Sequence, residues 1–140
     1  MPLLDVGAWL AAAWGGHVHH EPVAEWFDQQ SGGLVLCRVT QMSLLRLLSN
    51  PAIMGDDAVS RSAAWSALDR LQADRRVQWA EEPLHLEPVW RALSARPDKS
   101  HKLWTDDYLA AFAQSGGLVL ATLDGGMASR YPSVNVETLI

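Results

Sequence analysis

The chain has 140 residues, 49% of them hydrophobic, with seven tryptophans, a length that suits one domain and one full core without covalent staples. Its one cysteine, Cys37, excludes an internal disulfide, and no run approaches the roughly 18 apolar residues of a membrane span. The formal net charge of −5 argues against a uniformly basic nucleic-acid surface but leaves room for local patches such as Arg70, Arg75, Arg76, Arg91, Arg96, Lys99 and Lys102.

Residues 2–5 read as a short buried strand ending in Asp5. The segment has no basic leader and an early acid, so a signal peptide is not expected and a cytoplasmic protein is. Gly7 to Trp14 reads as a helix stopped by Gly15-Gly16. His17-Val-His-His-Glu-Pro opens the next element, whose apolar positions Val23, Ala24, Trp26 and Phe27 predict a helix to about Gln30. Leu34-Val-Leu-Cys37, bounded by glycines, is a core strand with Cys37 as a small buried hydrophobe. Thr40 is the expected N-cap of a helix from Gln41 to Leu48, ended by Ser49-Asn-Pro51. Asp56-Asp57 would cap a longer helix from Ala58 to about Asp74, with Val59, Ala63, Leu68 and Leu71 on its inner face.

Residues 76–80 alternate as a short strand, residues 86–95 form a weaker helix, and residues 96–100 a loop. Thr105 precedes an amphipathic helix carrying Leu109, Phe112 and Ala113, stopped by Gly116-Gly117. Leu118-Val-Leu-Ala-Thr is a strand that ends near Asp124, and residues 135–139 suit an edge strand. No repeat or internal linker interrupts the chain. Alternating strands and helices predict a layered α/β domain with a mostly parallel sheet. Most of the tryptophans are expected in the core, and some at interfaces.

Three acids stand out. Asp5 and Asp124 follow apolar runs at strand ends, and Asp106 opens a helix, where the helix dipole favours an acid. They are 101 and 18 residues apart, so only the fold brings them together. Ligands of open α/β sheets collect beyond the carboxyl ends of the strands. Carboxylates gathered there repel one another, and a hard cation such as Mg²⁺ relieves them, which makes phosphate-ester hydrolysis the first chemistry to consider. Singly, Asp106 reads equally well as a helix-start residue and Asp124 as a turn former before Gly125-Gly126. His17, His19 and His20 lack a partner spacing for zinc and read as loop and helix-start residues. A receiver-type signalling domain also gathers acids at strand ends, but the strand-end lysine it needs is missing.

Four segments resemble the PIN domain of VapC-type toxins, the ribonuclease half of toxin–antitoxin pairs. They are Leu3-Leu-Asp-Val6; His17-x-His-His-x-x-Val-Ala-x-Trp26; Thr40-Gln-Met-Ser-Leu-Leu-Arg-Leu-Leu-Ser-Asn-Pro51; and the pair Thr105-Asp-Asp-Tyr-Leu-Ala-Ala-Phe-Ala113 with Ala121-Thr-Leu-Asp124. The resemblance runs nearly end to end and is least distinctive over residues 52–100. It implies one PIN domain over residues 1–140, a Rossmann-like three-layer α/β/α sandwich, and a Mg²⁺- or Mn²⁺-dependent endoribonuclease. It also implies a homodimer, a VapB-type antitoxin partner, DNA contacted only through that antitoxin, and no membrane. By position, Asp5, Asp106 and Asp124 carry over as metal ligands and catalytic acids, with Thr122 as a neighbouring hydroxyl. Gln41 stands where many members have a glutamate, so one carboxylate fewer faces the metal, and one ion is expected rather than two. Asp107 is the candidate replacement, although it lies about 100° round the helix from Asp106. Arg46 is a candidate for the scissile phosphate, with a structural ion pair as its alternative role. Asp124 or Asp5 would act as base through a bound water. An alternative is a catalytically weak PIN-like protein acting mainly through antitoxin and operator binding.

Overall fold

The computed structural model describes all of residues 1–140. Five strands form one sheet: β1 (Pro2–Leu4), β2 (Leu34–Leu36), β3 (Val77–Trp79), β4 (Val119–Thr122) and β5 (Val136–Thr138). Their spatial order is β3-β2-β1-β4-β5, and every pairing is parallel. The helices are α1 (Val6–Ala13), α2 (His20–Asp28), α3 (Arg38–Leu48), α4 (Pro51–Met54), α5 (Arg61–Ala73), α6 (Leu86–Ser94), α7 (Trp104–Gly116) and α8 (Met127–Arg130).

Strand alternation sorts the core into two halves. Leu3, Val35 and Leu120 face a layer made by α6, α7 and α8, where they meet Leu109, Phe112 and Tyr131. Leu4, Leu34, Leu36 and Ala121 face the opposite layer, where they meet Trp9 and Phe27, together with Leu44 of α3 and Leu68 of α5. The sheet is therefore covered on both faces, which is why its short strands read as continuous apolar runs. This is the three-layer sandwich expected, with a sheet that is wholly parallel.

Four boundaries differ from the sequence reading. Cys37, not Thr40, is the N-cap residue of α3. Thr40 sits three residues in, where its hydroxyl accepts from the Cys37 backbone N–H at 3.1 Å and approaches the Cys37 carbonyl at 2.9 Å. A threonine that serves a helix start from its third position looks in sequence like one that serves from the cap. Asp56 and Asp57 lie in a 3₁₀ turn, and Ser60 caps α5 through the Ala63 N–H, so the buried stripe of α5 is Ala64 and Leu68 and Val59 lies outside the helix. Pro51–Met54 continues as a helical turn capped by Asn50. The turn α8 was not expected, since four residues carry no periodicity.

Most of the tryptophans lie in the core or pack against it, as expected. Trp9 alone is fully buried, Trp14, Trp26, Trp79 and Trp90 are half-buried, and Trp65 and Trp104 are exposed. The indole N–H explains part of this placement, because it finds acids at the surface: Trp14 donates to Asp57, Trp26 to Glu137 and Trp79 to Glu81. No helix is long and apolar enough to cross a membrane.

Candidate active site

The parallel register builds the centre of the site. Leu4 pairs with Ala121, which sets Asp5 beside Thr122 one step further, at the carboxyl ends of β1 and β4. The Thr122 hydroxyl donates to Asp5 Oδ2 at 2.5 Å and accepts from the Asp124 backbone N–H at 2.9 Å. One buried hydroxyl therefore joins the two strand ends. Asp5 is also the N-cap of α1, its Oδ1 accepting from the Ala8 N–H at 2.9 Å. The residue has a structural task as well as a place in the site.

Asp124 closes a turn through the Gly126 N–H at 2.8 Å. Asp106 arrives from the first turn of α7, which runs back against the strands and so starts at their carboxyl edge. The three carboxylates that the sequence singled out therefore share one edge, close enough to oppose one another's ionisation.

Their electrostatic states differ. Burial raises the Asp5 pKa; the Thr122 and Ala8 hydrogen bonds work against that shift and the Asp124 charge adds to it. Burial likewise raises Asp106, with Arg130 opposing and the neighbouring acids reinforcing the shift. Asp124 moves the other way, because Arg130 hydrogen-bonds to it and the Gly126 N–H adds to the effect.

Arg130 is the residue that sequence reading missed. Its Nη2 donates to Asp124 Oδ2 at 2.6 Å and to Asp106 Oδ2 at 3.3 Å. No three histidine, cysteine, aspartate or glutamate side chains stand close enough together in this arrangement to enclose an ion. The positive charge between Asp106 and Asp124 is the guanidinium. An all-oxygen donor set that already attracts a cation is nevertheless the chemistry that hard divalent ions select.

The auxiliary candidates sort differently. Asp107 turns away into the core, where it is 7% exposed and accepts from the Tyr131 hydroxyl. Gln41 is buried, and its Oε1 accepts from Arg38 Nη1 at 2.5 Å. Arg46 makes no ion pair and lines a surface hollow with Val6 and Ser43. The histidines of residues 17–20 occupy the α2 start, with His19 as N-cap residue and His20 Nδ1 at 2.7 Å from the Ala11 carbonyl.

The PIN-domain family model matches residues 3–131. Ribonuclease VapC41 of Mycobacterium tuberculosis is 43% identical, over 99% of both chains. The chain is a PIN domain of the VapC type. Two solved structures share the fold of this PIN domain. One, DNA-bound VapBC from Salmonella typhimurium, superposes with a TM-score of 0.73 at 17% identity, covering 99% of this chain and 98% of that one. The other, the sarcin-ricin loop cleaving toxin VapC20 of Mycobacterium tuberculosis, superposes with a TM-score of 0.70 at 15% identity, covering 92% of this chain and 94% of that one.

Proposed function

We propose that this PIN domain is a metal-dependent endoribonuclease toxin of a type II toxin–antitoxin system. It hydrolyses RNA phosphodiester bonds in the cytoplasm, and a VapB-type antitoxin neutralises it. The observation that carries the reading is the convergence of Asp5, Asp106 and Asp124 on one sheet edge, in a chain closely similar to a named ribonuclease. The VapBC neighbour supports an antitoxin partner, through which DNA would be reached. A homodimer is part of the proposal as well.

Asp5, Asp106 and Asp124 would hold Mg²⁺ or Mn²⁺. Once bound, the ion supplies a Lewis acid for the phosphoryl oxygen and lowers the pKa of the attacking water. The chain's own contribution is positional. Thr122 and the Ala8 N–H fix both Asp5 oxygens, and the Gly126 N–H fixes one oxygen of Asp124. Asp106 makes no hydrogen bond except to Arg130, so it is the carboxylate freest to reorient when an ion arrives. A carboxylate of this cluster takes the proton from the attacking water. No covalent intermediate is needed.

Asp5→Asn and Asp106→Asn should each abolish cleavage of total RNA while the far-ultraviolet circular dichroism stays native. Full cleavage by either variant, or by the wild type in excess EDTA, would sink the proposal. One observation favours a second reading, a catalytically weak PIN protein that works mainly by binding its antitoxin. Gln41 brings no charge, and Arg38 occupies its side-chain oxygen. Gln41→Glu separates the two readings: a rise in cleavage rate of about tenfold or more marks a site weakened by the amide, and an unchanged, already efficient rate removes the second reading.

A further inference from the structure

The edge of the site holds one cation that the proposed reaction does not use. Arg130 binds Asp124 and Asp106 through a single nitrogen, Nη2, and its Nε is buried without a hydrogen-bond partner. A guanidinium offers five donors in a planar fork and satisfies carboxylates best with two parallel bonds. The pose seen here is therefore incompletely satisfied. On its other side Arg130 lines a cavity of about 190 Å³ with Arg96, Ser100, Trp104 and Tyr131. Arg96 donates from Nε to the Leu93 carbonyl and from Nη2 to the Arg130 carbonyl, which leaves its Nη1 without a protein partner. The two acids in the same wall are already engaged, Asp107 by the Tyr131 hydroxyl and Asp98 by the Ser100 N–H. Two guanidiniums with spare donors thus border a hollow next to the acids.

We propose that Arg130 has two stations. With the acids bare it is their counter-ion. With a divalent cation among them it is released into the adjoining cavity, where with Arg96 it binds a phosphate of the RNA strand beside the scissile bond. The inference rests on the proposed function, since it takes RNA as the ligand and a divalent ion as the displacing charge. A planar fork suits phosphate, and a cation displaced from carboxylates by a better cation is free to take an anion. Arg130 is on this view a positioning residue, acting on substrate binding rather than on bond cleavage.

Two measurements with the purified full chain test it. In the first, thermal melting is followed with EDTA and with saturating Mg²⁺. Arg130→Gln should lower Tm by about 3 °C or more in EDTA, where Asp106 and Asp124 lose their counter-ion, and by little in Mg²⁺. Arg130→Lys, which keeps the charge, should restore most of the loss and guards against a general folding defect. In the second, steady-state cleavage of a short single-stranded RNA is followed in Mg²⁺ over a range of salt. Arg130→Gln should raise KM about tenfold and change kcat little. It should also flatten the dependence of log KM on log salt by about 0.7, the share of one phosphate contact on a single strand. Arg91→Gln, an equal charge change on the exposed face of α6, should do neither.

A wild type that fails to cleave RNA in Mg²⁺ overturns the functional reading, and the melting experiment still decides whether Arg130 is the counter-ion. A wild type that cleaves, with Arg130→Gln unchanged in KM and salt slope, overturns the phosphate station alone. A fall in kcat at constant KM overturns it too, because Arg130 would then act in the transition state. Equal Tm losses in EDTA and Mg²⁺ would show an ordinary structural ion pair and overturn the counter-ion station.

Discussion

Replacing Tyr131 by phenylalanine deletes one oxygen and leaves the ring packing in place. Tyr131 is 1% exposed and its hydroxyl donates to the Asp107 carboxylate, itself 7% exposed. Burial first, and then the Asp107 contact, push the Tyr131 phenol above its usual pKa, so the hydroxyl is a donor at neutral pH. Without that donor a buried carboxylate loses its only side-chain partner. Hydrogen bonds to charged groups are worth about 1.5–3 kcal/mol, and the ring's own burial is unchanged, so Tyr131→Phe should cost about 2 kcal/mol. For a chain of this size that is a Tm loss of about 6 °C. Urea melts at pH 7 should show the shift at constant slope, which marks lost stability and not an altered unfolded state. Asp107→Asn keeps an acceptor and removes the charge, so it should cost less, and in its background Tyr131→Phe should lose most of its effect. A cost below about 0.5 kcal/mol for Tyr131→Phe would refute the assignment of Asp107 to the core. So would an Asp107→Asn variant that melts like wild type and cannot cleave RNA.

The remaining predictions concern the acid edge. Thr122→Val preserves shape and removes the hydroxyl that joins Asp5 to the Asp124 backbone, so cleavage should fall about 10- to 100-fold and stability by about 2 kcal/mol. Activity within threefold of wild type would show that the hydroxyl orients nothing. The pH behaviour without metal follows from the sign of the shifts. The Asp5 pKa is raised above its unfolded value, so its favourable contribution is present below about pH 4 and is lost as pH rises through the folded-state value. In EDTA at pH 7, Asp5→Asn should therefore melt above wild type, with the gap closing as pH falls below 4. A variant that melts below wild type at both pH values would mean that the cap and Thr122 bonds outweigh the burial of the charge.

The parts of this fold that were legible in the sequence are those where one local cause dominates. Asp5 and Asp124 announced themselves because an apolar strand ended in an acid, and the parallel sheet then left little choice about where those ends lie. Asp106 was legible as a helix start, and the direction of α7 did the rest. Arg130 was not legible. It lies 24 residues from Asp106 and six from Asp124, in a single helical turn, and no periodicity links it to either. Asp107 was hidden for a different reason. Beside Asp106 it reads as a spare acid for the metal, and only the position of Tyr131 shows that it turns inside. The tryptophans were legible from their bulk, which puts five of the seven in or against the core, while the indole N–H groups of Trp14, Trp26 and Trp79 reach acids at the surface.

The order β3-β2-β1-β4-β5 also bears on when this protein can act. β1 is made first and stands in the middle of the sheet, yet the neighbour that brings it Thr122 and Asp124 is made almost last. Until residues 119–130 have emerged, Asp5 caps α1 beside an open strand edge, and no second strand-end acid stands near it. If the acid edge is the active site, the chain has no assembled site through nearly all of its own synthesis. Chains cut short before β4 should be inert for lack of an assembled edge, whatever acids they carry.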